Sequence, residues 1–273
     1  MRCKVADPRV VVSCAFVLCC LGSPAAHAQS LSIPNTTVAK GATGANIFVH
    51  ASHAAFALTG FSVSIRYTPA QLVVTAVTTA GTSVGALPDP VAFLNGSFNQ
   101  TTGAIAYGCV LDLNPPLTNF LPAGGDSTLL RITVDVPLAA GATTALTFVN
   151  GLGDFPINNV LVDDQGTSIP PAFVSGTILA EQIFLRGDID GDGVVGIADP
   201  IRLLLHLFAA RPRPACDDAS DANDDGLVDV ADPVRILFAM FGGTVSISSP
   251  GPFSCGIDPT LDTLAACPDR ICP

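Results

Sequence analysis

"FSVSIRY", Phe61 to Tyr67, sets Phe61, Val63, Ile65 and Tyr67 on one side and Ser62, Ser64 and Arg66 on the other. Successive side chains of a strand point to opposite faces, so this alternation predicts a half-buried strand. "LRITVDV", Leu130 to Val136, repeats the device with Leu130, Ile132, Val134 and Val136 inward. The same reading predicts strands at Asn46 to Ala51, Leu72 to Thr79, Ala104 to Leu111, Ala145 to Asn150 and Phe173 to Leu179, separated by turn-rich stretches such as "LPAGGDS" and "AAGAT". Short strands at this spacing predict two packed sheets rather than a parallel α/β sheet. The body spans 31–180, roughly 150 residues, which is long enough to bury its own core.

Composition agrees with a folded chain of many turns. Of 273 residues, 49% are hydrophobic and 13% charged, with no Trp and two Tyr, which excludes a disordered polyelectrolyte. At the N-terminus, Arg2, Lys4 and Arg9 precede the apolar run "VVVSCAFVLCCLG", Val10 to Gly22, and "AHA" ends at Ala28. That pattern predicts a signal peptide over 1–28, cleaved after Ala28, and a secreted, extracellular or cell-surface protein. The run is too short for a transmembrane helix. Removing three basic residues and one acidic residue from the totals of 12 and 23 leaves 9 against 22, a net charge of −13. Nucleic acid and anionic membranes are therefore excluded as expected partners. Five cysteines remain after cleavage. Cys216, Cys255, Cys267 and Cys272 are read as disulfide-forming in an exported protein, with three pairings open. Cys109 shares an alternating face with Ile105, Tyr107 and Leu111 and is read as a buried thiol.

"DIDGDGVVGIAD", Asp188 to Asp199, and "DANDDGLVDVAD", Asp221 to Asp232, carry the chemistry. In an EF-hand loop, positions 1, 3 and 5 present side-chain oxygens, 6 is Gly, 7 offers a carbonyl, 9 often acts through water, and 12 is acidic. The first loop supplies Asp188, Asp190, Asp192, the Val194 carbonyl and Asp199; the second supplies Asp221, Asn223, Asp225, the Leu227 carbonyl, Asp229 and Asp232. Hard oxygen donors at this spacing select Ca²⁺, two ions in all. Gly196 has no side chain at position 9, so the first site is expected to be the weaker. Aligning 188–208 with 221–241 gives ten identities in twenty-one pairs, at ligand and apolar positions, which turn chemistry alone does not explain. Asp199-Pro200 and Asp232-Pro233 each mark the first turn of a helix. The helices carry apolar stripes of Ile201, Leu204, Leu205 and Phe208, and of Val234, Leu237, Phe238 and Phe241.

A loop and one following helix, twice within 184–244, resembles the type I dockerin domain. "LTGFSVSIRYTPAQLVVTAVTTAG", Leu58 to Gly81, with the later "TGAIAYG" and "STLLRITVDVPLAAGATTALTF", resembles cohesin domains and related carbohydrate-binding sandwiches, although Thr68 stands where that family often has Asp. The cysteine-bearing tail, 245–273, is similar to segments after dockerin-like repeats in secreted planctomycete-type proteins. The resulting expectation is multidomain: an all-β, cohesin-like sandwich of jelly-roll type, a short linker near Ala180, then a small α dockerin-like EF-hand pair. The resemblance implies a non-enzymatic assembly or adhesion protein whose exposed helix faces dock on a cohesin-type or other extracellular protein domain. It also implies a link to extracellular polysaccharide processing, polysaccharide as a second partner class, and weak self-association. Loop positions 10 and 11, which help set partner choice in that family, are Ile197 and Ala198, and Val230 and Ala231.

Two alternatives stand beside this. Glycan binding by the sandwich requires exposed aromatics, and Phe93, Phe98 and Phe120 are the candidates, since Tyr67 and Tyr107 fall on inward faces. Glycoside hydrolysis would call on Asp112, Asp163 or Asp164, whose flanks read as turns. His50 and His53 point to opposite faces of a strand, which argues against a shared zinc. No "GxSxG", P-loop or "HExxH" motif is present.

Overall fold

The computed structural model describes residues 29–113, 116–153, 156–260, 262–264, 267 and 272. The expected signal peptide lies outside them. Strands dominate, in two sheets. The first is ordered β12 (Ala172–Val174), β1 (Ser30–Ser32), β3 (Ala45–Ser52), β8 (Asp126–Asp135) and β5 (Val73–Thr78). In the second, the path β11 (Ser168–Ile169), β10 (Val160–Val162), β4 (Gly60–Arg66), β9 (Thr143–Phe148), β13 (Gly176–Glu181) and β2 (Thr36–Ala39) branches at β4, which also pairs with β7 (Ala104–Val110); β7 in turn pairs with β6 (Phe93–Asn99). All pairings are antiparallel except β1 with β12 and β2 with β13.

The inward faces are those expected from alternation. Val63 and Ile65 on β4, and Leu130, Ile132 and Val134 on β8, are fully buried in one core. Each such aliphatic side chain contributes about 1.5–3 kcal/mol. Cys109 lies free in this core, and burial pushes its thiol up to about 12, leaving it inert as a nucleophile. One expectation fails on the other face of β4, where Ser64 is also fully buried. The segment after β9 covers it: Leu152 N–H donates to Ser64 Oγ, and Ser64 N–H donates to Asn159 Oδ1 at 2.6 Å. The strand expected over Phe173 to Leu179 is two strands in different sheets. The chain crosses at Ser175, beside the crossing between β1 and β2, and a Cβ on Gly176 would meet the Ile33 carbonyl at 2.6 Å. Short β1, β2, β10 and β11, and the longer β6, add strands the periodicity did not reveal.

Beyond β13 the chain forms α1 (Ala198–Ala209), α2 (Asp217–Ser220) and α3 (Ala231–Phe241). No spacer intervenes. Ala180 is buried in β13, and Phe184, 2% exposed, pairs with Gly256 of the tail in an antiparallel bridge. The tail is likewise packed: Ile247 joins the small core of Ile189, Leu203, Ala222 and Ile236, and disulfides link Cys216 to Cys267 and Cys255 to Cys272. Among the described residues no helix is long and apolar enough to cross a membrane.

Candidate metal centre

Both acidic loops adopt the same backbone scheme, built by their own carboxylates. Asp188 Oδ1 accepts from Gly191 and Asp192 N–H, and its Oδ2 from Gly193 N–H; Asp221 does the same with Asp224, Asp225 and Gly226. This winds the first six residues of each loop around one buried carboxylate. The turn closes through a left-handed residue at position 6, Gly193 (φ 89°) and Gly226 (φ 78°), where any side chain would be strained. Asp192 and Asp225 each accept from the N–H two residues on.

The twelfth residue ties the loop to its helix. Asp199 Oδ1 accepts from Ile189 and Asp190 N–H and its Oδ2 from Gly196 N–H; Asp232 takes Asn223 and Asp229 N–H. Sitting in the first turn of α1 or α3, each carboxylate supplies an acceptor to backbone donors and meets the positive end of the helix dipole.

Asp188, Asp190 and Asp199 bring carboxylate oxygens within 4.8 Å of one another. Two ligands of one Ca²⁺, bound at about 2.3–2.6 Å, lie no more than roughly 5 Å apart, so the trio fits one ion. Asp192 stands outside it, its Oδ1 engaged with Val194 N–H. The second loop differs. Among the described residues, Asp221 forms no such trio with Asp225, Asp229 or Asp232; its carboxylate oxygen groups instead with Asp224 and Asp262. Asn223, an amide, stands where the first loop has Asp190, and its Nδ2 donates to Asp225 Oδ2 at 2.8 Å. Asp229 Oδ1 accepts from Ala231 N–H, at the start of α3.

The electrostatics fit a cation. Burial pushes Asp199 and Asp221 above the ordinary carboxylate range and Asp232 up to about 6. Burial and the neighbouring Asp258 and Asp262 push Asp218 up to about 7. Only hard oxygens are on offer, and the residues present suit Ca²⁺ in both loops.

Sequence reasoning missed the group that organises the second loop. Arg186 is fully buried. Its Nε donates to the Ser249 carbonyl, Nη1 to the Asp218 and Asp221 carbonyls, and Nη2 lies 3.0 Å from Asp258 and 2.9 Å from Asp224. Five donors thus have five acceptors, and the guanidinium carbon lies 5.2 Å from the centre of the Phe184 ring. A lone arginine before a loop carries no signal of this in the sequence.

The helices present the opposite face from the one that holds them in place. Leu203 and Ile236 are the buried anchors. The stripe residues Ile201, Leu205, Phe208, Val234, Phe238 and Phe241 are exposed, Phe208 at 71% and Phe241 at 74%. In the sandwich, Phe93, Phe98 and Phe120 are exposed too. His53 is buried, Nε2 lying 2.8 Å from Ser127 Oγ, while His50 is on β3, so they share no site. Asp112 and Asp163 cap turns, accepting from Thr118 and Asn119 N–H and from Gln165 and Thr167 N–H.

No protein-family model and no curated protein matches the chain. Among solved structures, it is similar to a scaffoldin cohesin from Acetivibrio cellulolyticus solved with a dockerin (14% identity, 56% of this chain and 99% of that one, TM-score 0.44). It is similar also to a cohesin–dockerin complex from Clostridium thermocellum (12%, 56% and 99%, TM-score 0.43). A non-cellulosomal cohesin from Archaeoglobus fulgidus matches at 16% identity over 56% of this chain and 91% of its own, TM-score 0.40.

Proposed function

We propose that the protein is an exported, non-enzymatic, calcium-dependent interaction protein, with two dockerin-like EF-hand loops presenting α1 and α3 to a cohesin-type or other extracellular protein domain. The observation that carries this reading is the paired apolar face of the helices. A contiguous apolar surface left at solvent marks an interaction site, and here it repeats on two helices that each begin on the last carboxylate of an acidic loop. Calcium would hold each loop closed and so set the angle at which its helix is offered. The partner matched to this face is an apolar sheet surface, with Phe208 and Phe241 as anchors. The test is capture of purified cohesin-type domains by the mature chain in calcium and in EDTA. Binding in calcium alone, lost with Phe208→Ala and Phe241→Ala together while thermal stability stays within about 0.5 kcal/mol, is expected; binding indifferent to both changes overturns the reading.

A second reading rests on one observation in the sandwich. Exposed Phe93 on β6, with Asn95, Ser97, Ala106 and Gly108, lines an open groove of about 380 Å³. An aromatic ring beside small and polar side chains suits stacking against a sugar. Oligosaccharide binding that disappears with Phe93→Ala would favour it.

A further inference from the structure

We propose that the groove beside Phe93 runs the whole length of β6 and takes an acidic oligosaccharide, one carboxylate of which is bound by Arg66 at the far end. This rests on the second reading above and names the class of sugar for it. Register sets Phe93, Asn95, Ser97 and Asn99 of β6 opposite Val110, Gly108, Ala106 and Ala104 of β7, and these opposite Gly60, Ser62, Ser64 and Arg66 of β4. Directly opposed residues share a face, so Phe93 and Arg66 stand at opposite ends of one outer surface, roughly 20 Å apart along the strands. Over β4 that surface is roofed by the segment after β9: Ser62 Oγ donates to the Asn158 carbonyl, and Leu152 N–H to Ser64 Oγ. A trough is left over β7, walled by β6 on one side and by Leu152 and Ile157 on the other. The hollow of about 380 Å³ next to Phe93 and a second of about 300 Å³ next to Arg66 and Asn99 meet at Ser97, which lines both.

The floor of the trough is low. It is made by Ala104, Ala106 and Gly108, and a Cβ on Gly108 would meet nothing nearer than the Asn95 carbonyl oxygen at 4.0 Å. From the β6 wall, the amide of Asn95 and the hydroxyl of Ser97 are exposed and, among the described residues, engage in no hydrogen bond. Free donors and acceptors in a row beside one aromatic ring suit a ligand that is itself ring-shaped and rich in hydroxyls. An extended peptide would instead pair its backbone with the outer edge of β6, whose one strand partner is β7. Charge narrows the class further. The chain carries 23 acidic and 12 basic residues, yet among the described residues lining the trough Arg66 alone is charged. Arg66 is exposed and, among the described residues, forms no ion pair; its one hydrogen bond, from Nη1 to the Thr102 carbonyl, is 3.5 Å long. Its guanidinium is thus left to grip a carboxylate through two parallel N–H groups, a fork that a neutral sugar does not match.

Titration calorimetry of the full chain in calcium, with tetramers of galacturonate, glucuronate and mannuronate and the methyl ester of each, tests this. At least one acid should bind about tenfold or more tightly than its own ester, as expected for a hydrogen bond to a charged group. Arg66→Gln should bring that acid down to the affinity of its ester. Gly108→Val, which fills the trough where space is open, should abolish binding of both without lowering the melting temperature. Since Arg66 is exposed, its variant stays readable should Gly108→Val fold poorly. Acid and ester bound equally, and both lost with Phe93→Ala, would overturn the acidic sugar and leave the second reading standing; no binding of any tetramer overturns both. Tighter binding of an aspartate tetrapeptide than of any uronate would replace the sugar with a peptide. Acid binding that ignores Arg66→Gln and Gly108→Val would place the ligand elsewhere, bridged by calcium to the acidic loops, and overturn the site.

Discussion

Between Leu31 and Ala180 the protein buries thirty hydrophobic side chains in one core and, among the described residues, no Asp, Glu, Lys or Arg. Between Arg186 and Asp232 it buries one arginine and six aspartates beside a hydrophobic core of five residues. The first region is held by apolar burial, which depends little on pH or ions. The second has too little apolar surface for that and draws on two disulfides, each contributing about 2–4 kcal/mol, and on buried charge. Charge is a conditional support: a buried carboxylate stabilises only when a proton, a guanidinium or a metal compensates it.

Arg186→Ala should break the contrast most sharply. It strips the donors from Asp224 and Asp258 and from the Asp218, Asp221 and Ser249 carbonyls, and removing one partner of a buried ion pair costs about 3–5 kcal/mol. Calorimetry should show the transition of the C-terminal unit lost and that of the sandwich unmoved; a single cooperative shift of both would mean that the two regions do not differ in the way described.

Metal removal and pH come next. Asp218 at about 7, Asp232 at about 6 and the raised Asp199 and Asp221 all hold protons more tightly folded than unfolded. Proton uptake by the folded state makes metal-free stability greatest below the ordinary carboxylate pKa of about 4, and it is lost as pH rises through about 6–7. In EDTA the helical circular dichroism of α1 and α3 should therefore survive at pH 4.5 and fall at pH 8, where calcium restores it. The sandwich should be unchanged throughout. Helicity at pH 8 that ignores EDTA would remove the metal from the account.

The smallest effect compares the loops with each other. Asp225→Ala should weaken total calcium binding more than Asp192→Ala, since the second loop keeps Asp229 where the first has Gly196. Titration calorimetry on both variants decides it. An equal loss, or a larger one for Asp192→Ala, would show that position 9 contributes nothing.

Alternation in "FSVSIRY" and "LRITVDV" was sufficient to place two central strands and their inward residues, because the period of a strand is local geometry. The repeat of 188–199 at 221–232 likewise announced two equivalent loops, since the positions that turn and bridge such a loop lie within twelve residues. Short strands such as β1 and β10 left no mark, having too few residues to show a period. Which cysteines pair, which side of LLLHLF turns inward, and why Ser64 is buried were decided by segments far away in the chain. Leu203 rather than Leu205 became the anchor of α1 because Ile236 and Ile247 arrive on that side. The clearest case is Arg186: its sequence neighbours say nothing, and its role exists only where residues 218 to 258 converge on it. Local periodicity and loop chemistry are written in adjacent residues, whereas burial and charge compensation are properties of the folded neighbourhood, and these came from the tertiary structure alone.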